Sequence, residues 1–246
     1  MRILVIGGSG QVGTDLIPYL VTHHDVRVLD TRPPTATGVS YVAGSATDYA
    51  AARAAAEGVD GVVYLAMGPK SAWQGTVAEA AAHFDAGPTG LYVSLRAAHD
   101  AGVGRAVYAS SMSVYTGEYG LGPIDPAAED YPEPDATNFY GLAKRLGEQV
   151  CEAISIEYGM TVVALRLASP RADDVWQRYT EEPYTVMATA ASDVAAAVEA
   201  ALRCPSKGFL AVPVTGDHEG RYMNLAITKK TLGWAPAARR DNRKGT

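Results

Sequence analysis

The chain has 246 residues, of which 48% are hydrophobic and 20% charged, and its formal net charge is −6. That is the composition of a globular protein with room for one large domain, and it excludes a disordered or fibrous chain. An acidic chain lacks the basic face needed to exchange counterions with phosphates, so no nucleic-acid partner is expected.

No apolar run approaches the roughly 20 residues needed to span a bilayer. The stretch MRILVIGG is too short for a signal peptide, so a cytoplasmic protein with no membrane partner is expected. Cys151 and Cys204 offer neither a disulfide framework nor metal-ligand spacing, and His83, His99 and His218 stand apart, so no metal is expected. The basic cluster Arg239, Arg240, Arg243 and Lys244 reads as a frayed tail.

In chain order, short β-branched runs alternate with alanine-rich stretches of helical length. RILVI precedes a helix over 11–22, VRVLD a turn, and VSYVA a helix over 47–57. GVVYLA leads into a long stretch to His99, RAVYAS precedes a helix over 137–159, and TVVALRL precedes one over 191–203. The strands are apolar throughout rather than alternating, as strands covered on both faces are. The expected class is therefore α/β, a doubly wound parallel sheet of Rossmann type with a small C-terminal region. The expected division is a dinucleotide-binding domain over 1–167 and a substrate-side region over 168–246. The latter contains FLAVPV, and its helix at 191–203 partly completes the fold. Two Pro-, Gly- and acid-rich stretches, 116–138 and 168–188, follow strands and are candidate ligand loops.

LVIGGSGQVGTDL places Gly8, Gly10 and Gly13 in a G-x-G-x-x-G array between a strand and a helix, and Gly7, Gly10 and Gly13 in an overlapping one. Glycines there allow a pyrophosphate to approach backbone N–H groups at the positive end of a helix. Asp30 ends the second strand, 22 residues after Gly8. A carboxylate at that place accepts hydrogen bonds from ribose hydroxyls and repels a 2′-phosphate, which favours NAD over NADP; Arg32 pulls the other way. In NFYGLAKR, Tyr140 and Lys144 are four apart and share a helix face. Alone, such a pair reads as a solvated surface feature.

Together these segments resemble the extended short-chain dehydrogenase/reductases, the NAD-dependent epimerase/dehydratase family. GGSGQVG, Asp30, VVYLA (62–66), RAVYASSMSVY (105–115), YGLAK (140–144), SDVAAAVEAAL (192–202) and LGWAP occur in the family's order and cover nearly the whole chain. The resemblance implies a catalytic set of Ser111, Tyr140 and Lys144, with Ser110 as the alternative serine. It implies cofactor contacts from Gly7, Gly10, Gln11, Val12, Gly13, Asp30, Leu65, Ala66, Tyr140 and Lys144. It also implies a homodimer built on the helices at 75–101 and 137–159, where Leu142, Leu146, Val150 and Ile154 form an apolar stripe.

Chemically, a phenol with a reference pKa near 10 needs a nearby ammonium and the positive nicotinamide to act as a base at neutral pH. The phenolate then removes a substrate hydroxyl proton as hydride leaves for the cofactor. Four positions depart from the family pattern: Ser45 replaces an acidic residue, Gly87 an asparagine, Ala143 a serine and Leu167 a proline. After RLASP, fewer than 80 residues remain, which leaves little room for a nucleotide-sugar site. The compact build resembles uronate dehydrogenases, with Ser169 in the place of a substrate-side serine, Met112 departing from a polar residue, and Arg171 and Arg178 as candidate carboxylate ligands. Three functions are open at this stage. They are oxidation of a secondary alcohol of a sugar, sugar acid or related small polar substrate; epimerisation or dehydration with transient use of NAD; and redox sensing without chemistry.

Overall fold

The structure is a computed structural model that describes residues 1–69, 75–115, 133–179 and 184–240. Seven parallel strands form one sheet: β1 (Arg2–Ile6), β2 (Asp25–Asp30), β3 (Val39–Ala43), β4 (Gly61–Tyr64), β5 (Arg105–Ser111), β6 (Thr161–Leu167) and β7 (Phe209–Val214). Their spatial order is β3-β2-β1-β4-β5-β6-β7, with every pairing parallel. The order reverses between β1 and β4, which is where a doubly wound sheet opens a crevice at its carboxyl edge.

The helices are α1 (Gln11–Leu20), α2 (Tyr49–Ala55), α3 (Val77–Phe84), α4 (Gly90–Asp100), α5 (Phe139–Tyr158), α6 (Asp173–Arg178), α7 (Tyr184–Met187), α8 (Ala191–Leu202) and α9 (Ala226–Leu232). The two-faced burial expected of uniformly apolar strands is present in β1, β4, β5 and β6, whereas the edge strand β3 is buried at none of its residues. Ile3, Val5, Val63, Val107 and Val163 join Leu16, Ile17 and Leu20 of α1 and Val194, Val198 and Leu202 of α8 in one core. The alternate residues Leu4, Ile6, Val62, Tyr64 and Val162 pack with Leu91 and Leu95 of α4 and Cys151 and Ile154 of α5 in the other. Each such fully buried aliphatic side chain contributes about 1.5–3 kcal/mol.

The long stretch up to His99 is a helix with an interruption. Between α3 and α4, residues Asp85–Thr89 widen into a turn of π-helix that contains Gly87 and Pro88. A proline supplies no N–H to the helical ladder. The Ala86 carbonyl there accepts the Tyr64 hydroxyl at 2.6 Å instead.

FLAVPV is the seventh strand, pairing with β6 from Val162–Phe209 to Leu167–Val214. Together with α8 it therefore makes a further β-α-β unit of the same sheet. On α5, the face buried against the sheet is Gly141, Lys144, Gly147, Glu148, Cys151 and Ile154. Leu142, Leu146 and Val150 are only half-buried along its flank. Among the described residues no helix is long and apolar enough to cross a membrane.

Arg239 and Arg240 are not a frayed end, while Arg243 and Lys244 lie outside the described residues. The Arg240 guanidinium donates to the carbonyls of Trp176 (2.6 Å), Tyr179 (2.6 Å) and Thr185 (2.7 Å) and lies 4.5 Å from the Trp176 ring centre. The backbone N–H groups of Ala237 and Ala238 donate to the buried Asp193 carboxylate. A planar cation with five donors can clasp several carbonyls at the C-terminal ends of short helices, which makes this tail a strap over α6 and α7. Replacing Arg240 with Ala should speed amide hydrogen exchange in α6 and α7 and leave the strands protected; unchanged exchange there would show that the strap does not hold these helices.

Candidate active site

At the switch point the turn after β1 meets the turn after β4. Gly7 has φ 81°, and a Cβ on it would stand 2.4 Å from the Ala66 backbone nitrogen. At Gly13 a Cβ would run into the Gly8 carbonyl, at 2.3 Å from its oxygen. Side chains at either place would fill the space between turn and helix, so the bare backbone is a requirement of the geometry. Helix α1 starts at Gly10 with no side-chain cap and no acidic residue in its first turn, which leaves its positive end facing this turn.

Asp30 closes the turn from the side. Its carboxylate accepts from the N–H of Ser9 (3.0 Å) and the N–H of Arg32 (3.1 Å). Arg32 reaches back to the Ser9 carbonyl at 3.3 Å. Gly7 and Gly10 are thus on the turn after β1, Gln11, Val12 and Gly13 in the first turn of α1, Leu65 and Ala66 on the turn after β4, and Asp30 at the end of β2. The cradle fits a dinucleotide: it is free of Cβ atoms where a pyrophosphate would lie, and it carries a carboxylate where the ribose would follow. Ser45 lies in the turn after β3, where its hydroxyl pairs with that of Thr47 at 2.8 Å.

The catalytic candidates come from β5 and α5. The Asn138 side chain starts α5 by accepting the Gly141 N–H at 2.8 Å. One turn along, Tyr140 and Lys144 emerge on the face turned toward the end of β5. The hydroxyls of Ser111 and Tyr140 are hydrogen-bonded to each other. Ser110 is committed elsewhere, donating to Glu148 Oε1 at 2.6 Å while fully buried. The structure thus places Ser111, and not Ser110, beside the tyrosine.

Lys144 Nζ donates to the Ala109 carbonyl at 2.6 Å and is 5.9 Å from the Tyr140 ring centre. An ammonium has three donors, so two remain for a ligand. Burial drives Lys144 down to about 8, opposed by the Glu148 carboxylate. Burial also raises Tyr140 above its usual value, and the Ser111 bond works against that rise. The ammonium and the nicotinamide are the expected lowering forces on this phenol. In the folded protein desolvation dominates, and the force that opposes it is the serine.

A small cleft opens beside these groups, lined by Tyr140, Lys144, Gly87, Ala143, His83 and Tyr108 among others. Two departures from the family pattern meet here: a Cβ on Gly87 would be 3.9 Å from the Ala143 Cβ. His83, isolated in sequence, stands edge-on to Tyr140 at 5.6 Å between ring centres, and its Nε2 bonds to the Pro69 carbonyl at 2.8 Å. Burial holds its imidazole below the usual pKa. Helical spacing from Gly87 was the one sequence signal that could have found it.

The remaining substrate-side candidates divide. Ser169, directly after β6, is the one non-glycine among the described residues with left-handed backbone, φ 41°. Holding that conformation costs about 1–3 kcal/mol, and such strain clusters at functional sites. Met112, next to Ser111, packs with Ala168, Met187 and Met223. Arg171 turns away from the catalytic candidates, donating to the Pro170 carbonyl and lying over Tyr179, beside a small cleft shared with Asp15. Arg178 pairs with Asp174 at 2.7 Å in solvent. Much of the 116–138 loop lies outside the described residues.

Known proteins share the family and the fold. The chain is 30% identical to an L-arabinose 1-dehydrogenase (NAD(P)(+)) of Haloferax volcanii, over 98% of this chain and 97% of that one. A UDP-glucose 4-epimerase of Neisseria meningitidis is 30% identical over 69% of this chain, which spans about half (53%) of that enzyme. Among solved structures, uronate dehydrogenase from Agrobacterium tumefaciens shares the fold, with a TM-score of 0.76 at 22% identity, covering 96% of this chain and 84% of that one. Glucuronic acid dehydrogenase from Chromohalobacter salexigens also superposes with a TM-score of 0.76 at 21% identity, over 98% and 85% of the two chains. The pattern of the NAD dependent epimerase/dehydratase family matches residues 3–216, and the chain belongs to that family.

Proposed function

We propose that the protein is an NAD-dependent dehydrogenase that oxidises a secondary carbinol carbon of a small neutral sugar, the anomeric carbon included. The observation that carries this reading is the convergence of Ser111, Tyr140 and Lys144 at the carboxyl edge of the sheet, next to the Cβ-free turn. In this reading the turn residues Gly7, Gly10, Gln11, Val12 and Gly13 hold the pyrophosphate. Asp30 holds the adenosine ribose, and Leu65 and Ala66 flank the dinucleotide. NAD supplies the acceptor for the hydride.

Tyr140 takes the substrate hydroxyl proton, Ser111 donates a hydrogen bond to the same oxygen, and Lys144 offers its two remaining N–H groups to the nicotinamide ribose. The Ser111 bond opposes the rise that burial gives the Tyr140 phenol, and Lys144, driven down to about 8 by burial, is the ammonium of the site below that pH. A sensor has no need of a buried lysine and a serine-bonded phenol in one pocket, which speaks against a purely binding role. Replacing Tyr140 with Phe should lower kcat by at least about 100-fold with NAD binding nearly unchanged, since general base catalysis is worth about 10²–10⁴. Full turnover in that variant would remove Tyr140 from the mechanism.

Charge decides between a neutral sugar and a sugar acid. The two candidate arginines are held by Pro170 and Asp174, and methionines pack beside Ser111. The relative that acts on arabinose supports the same choice. With NAD present, absorbance at the NADH band should rise with pentoses and hexoses and stay flat with glucuronate and galacturonate; the reverse pattern would overturn the neutral-substrate reading. The similarity to UDP-glucose 4-epimerases supports a second reading, epimerisation with no net NADH. Interconversion of sugars without an absorbance change would select it.

Asp30 favours NAD over NADP by repulsion, so titration should show NADH binding more tightly than NADPH; equal affinities would mean that Arg32 offsets the carboxylate. We also propose a homodimer through α4 and α5, where Leu142, Leu146 and Val150 are half-buried and Ile156 is 80% exposed. Light scattering should give twice the chain mass for the parent protein and the chain mass for Leu146→Glu; a monomeric parent removes the proposal.

A further inference from the structure

We propose that Glu148 is a positioning residue for the oxidation proposed above. Its carboxylate, gripped by Arg166 and Ser110 beneath the site, is the counter-charge that holds Lys144 as an ammonium beside Tyr140.

Three successive residues at the end of β5 are each tied to α5. The Ala109 carbonyl accepts Lys144 Nζ at 2.6 Å, Ser110 Oγ donates to Glu148 Oε1 at 2.6 Å, and the Ser111 hydroxyl bonds that of Tyr140. Glu148 lies one turn beyond Lys144 on the same buried face. Arg166 arrives from β6, directly opposite Ser110 in the sheet register. It grips both carboxylate oxygens, Nε to Oε1 at 3.0 Å and Nη2 to Oε2 at 2.8 Å, a bidentate geometry. Its Nη1 donates to the Tyr115 hydroxyl at 2.6 Å, so the same guanidinium fixes the far end of the Ser111 turn.

Glu148, Arg166 and Lys144 are 5%, 8% and 6% exposed, so little water screens the group. A buried ion pair adds little net stability over apolar packing, and a pair kept here calls for a reason beyond folding. The groups that face Lys144 supply one. Cys151 and Tyr140 face it from α5, Tyr108 from β5 at 5.1 Å to the ring centre, and His83 from α3. Burial pushes the Cys151 thiol and the Tyr108 and Tyr140 phenols up and the His83 imidazole down, so all four favour the neutral form. Glu148 is the carboxylate of the set.

The test is a pH titration of lysine 13Cε and 15Nζ NMR signals in the intact protein, with the Lys144 resonance assigned by its loss in Lys144→Met. The parent midpoint is expected near 8. Glu148→Gln should lower it by on the order of one unit, and Glu148→Asp, which keeps the Arg166 pair but draws the charge back, should fall between the two. Because Glu148→Gln leaves Arg166 unpaired, Glu148→Gln/Arg166→Gln is measured alongside it, with the midpoint again expected to fall. A midpoint that stays or rises in the folded variants overturns the proposal, since a merely structural pair would not set the lysine's titration.

The alkaline limb of the rate of NADH formation should move with the NMR midpoint. The titration needs no substrate, so failure of every sugar to form NADH would sink the functional reading and leave this one standing. A fully active enzyme with an unmoved midpoint would sink this one alone.

Discussion

The site depends on how α5 lies against the end of β5. A parallel strand ends with carbonyls and side chains pointing into a crevice, and whatever crosses that end must satisfy them or leave buried polar groups unpaired. Here α5 does so over two turns, through Lys144, Glu148 and Tyr140, while the strand's own neighbour β6 contributes Arg166 from the opposite side. Because these bonds share residues, displacing any one shifts the others. The result is a rigid join beneath a reactive edge, and rigidity is what a proton-transfer geometry requires.

The same sheet explains why separate parts of the chain converge. Strands apolar on both faces must be covered by helices on both sides, and each crossover returns the next strand in parallel. All the carboxyl ends therefore lie along one edge. The glycine turn follows β1, Asp30 ends β2, Leu65 and Ala66 follow β4, Ser111 ends β5 and Ser169 follows β6. A residue near a strand's carboxyl end is thereby near the cofactor crevice, whatever its place in the sequence. The strap of Arg240 over α6 and α7 adds a border on the β6 side of this edge.

Departures from the family pattern acquire meaning only as neighbours. Gly87 sits in the widened turn between α3 and α4, and Ala143 on α5, yet the two face each other across the pocket beside Tyr140 and Lys144. Each shortens a side chain at the same place, so together they enlarge one space instead of weakening two. Beside Ser111, Met112 packs with Met187 and Met223. Both features lie beside Ser111, Tyr140 and Lys144 and alter none of those three side chains.

The alternation of apolar strands and helices, the glycine spacing after β1, Asp30 at the end of β2, and Tyr140 four residues before Lys144 are local patterns. The sequence by itself determined them, because period, turn chemistry and helix pitch act over a few residues. The family resemblance implied Ser111 and left Ser110 as the alternative. What needed the tertiary structure involves pairs far apart in the chain. Ser110 turns to Glu148 and leaves Ser111 for Tyr140, Arg166 crosses from β6, His83 stands edge-on to the tyrosine, and Arg171 faces Asp15 instead of the catalytic groups. FLAVPV completes the sheet, and Arg240 binds carbonyls more than 50 residues away. Burial, charge pairing and close approach between distant segments decide these outcomes, and they exist only once the chain has folded.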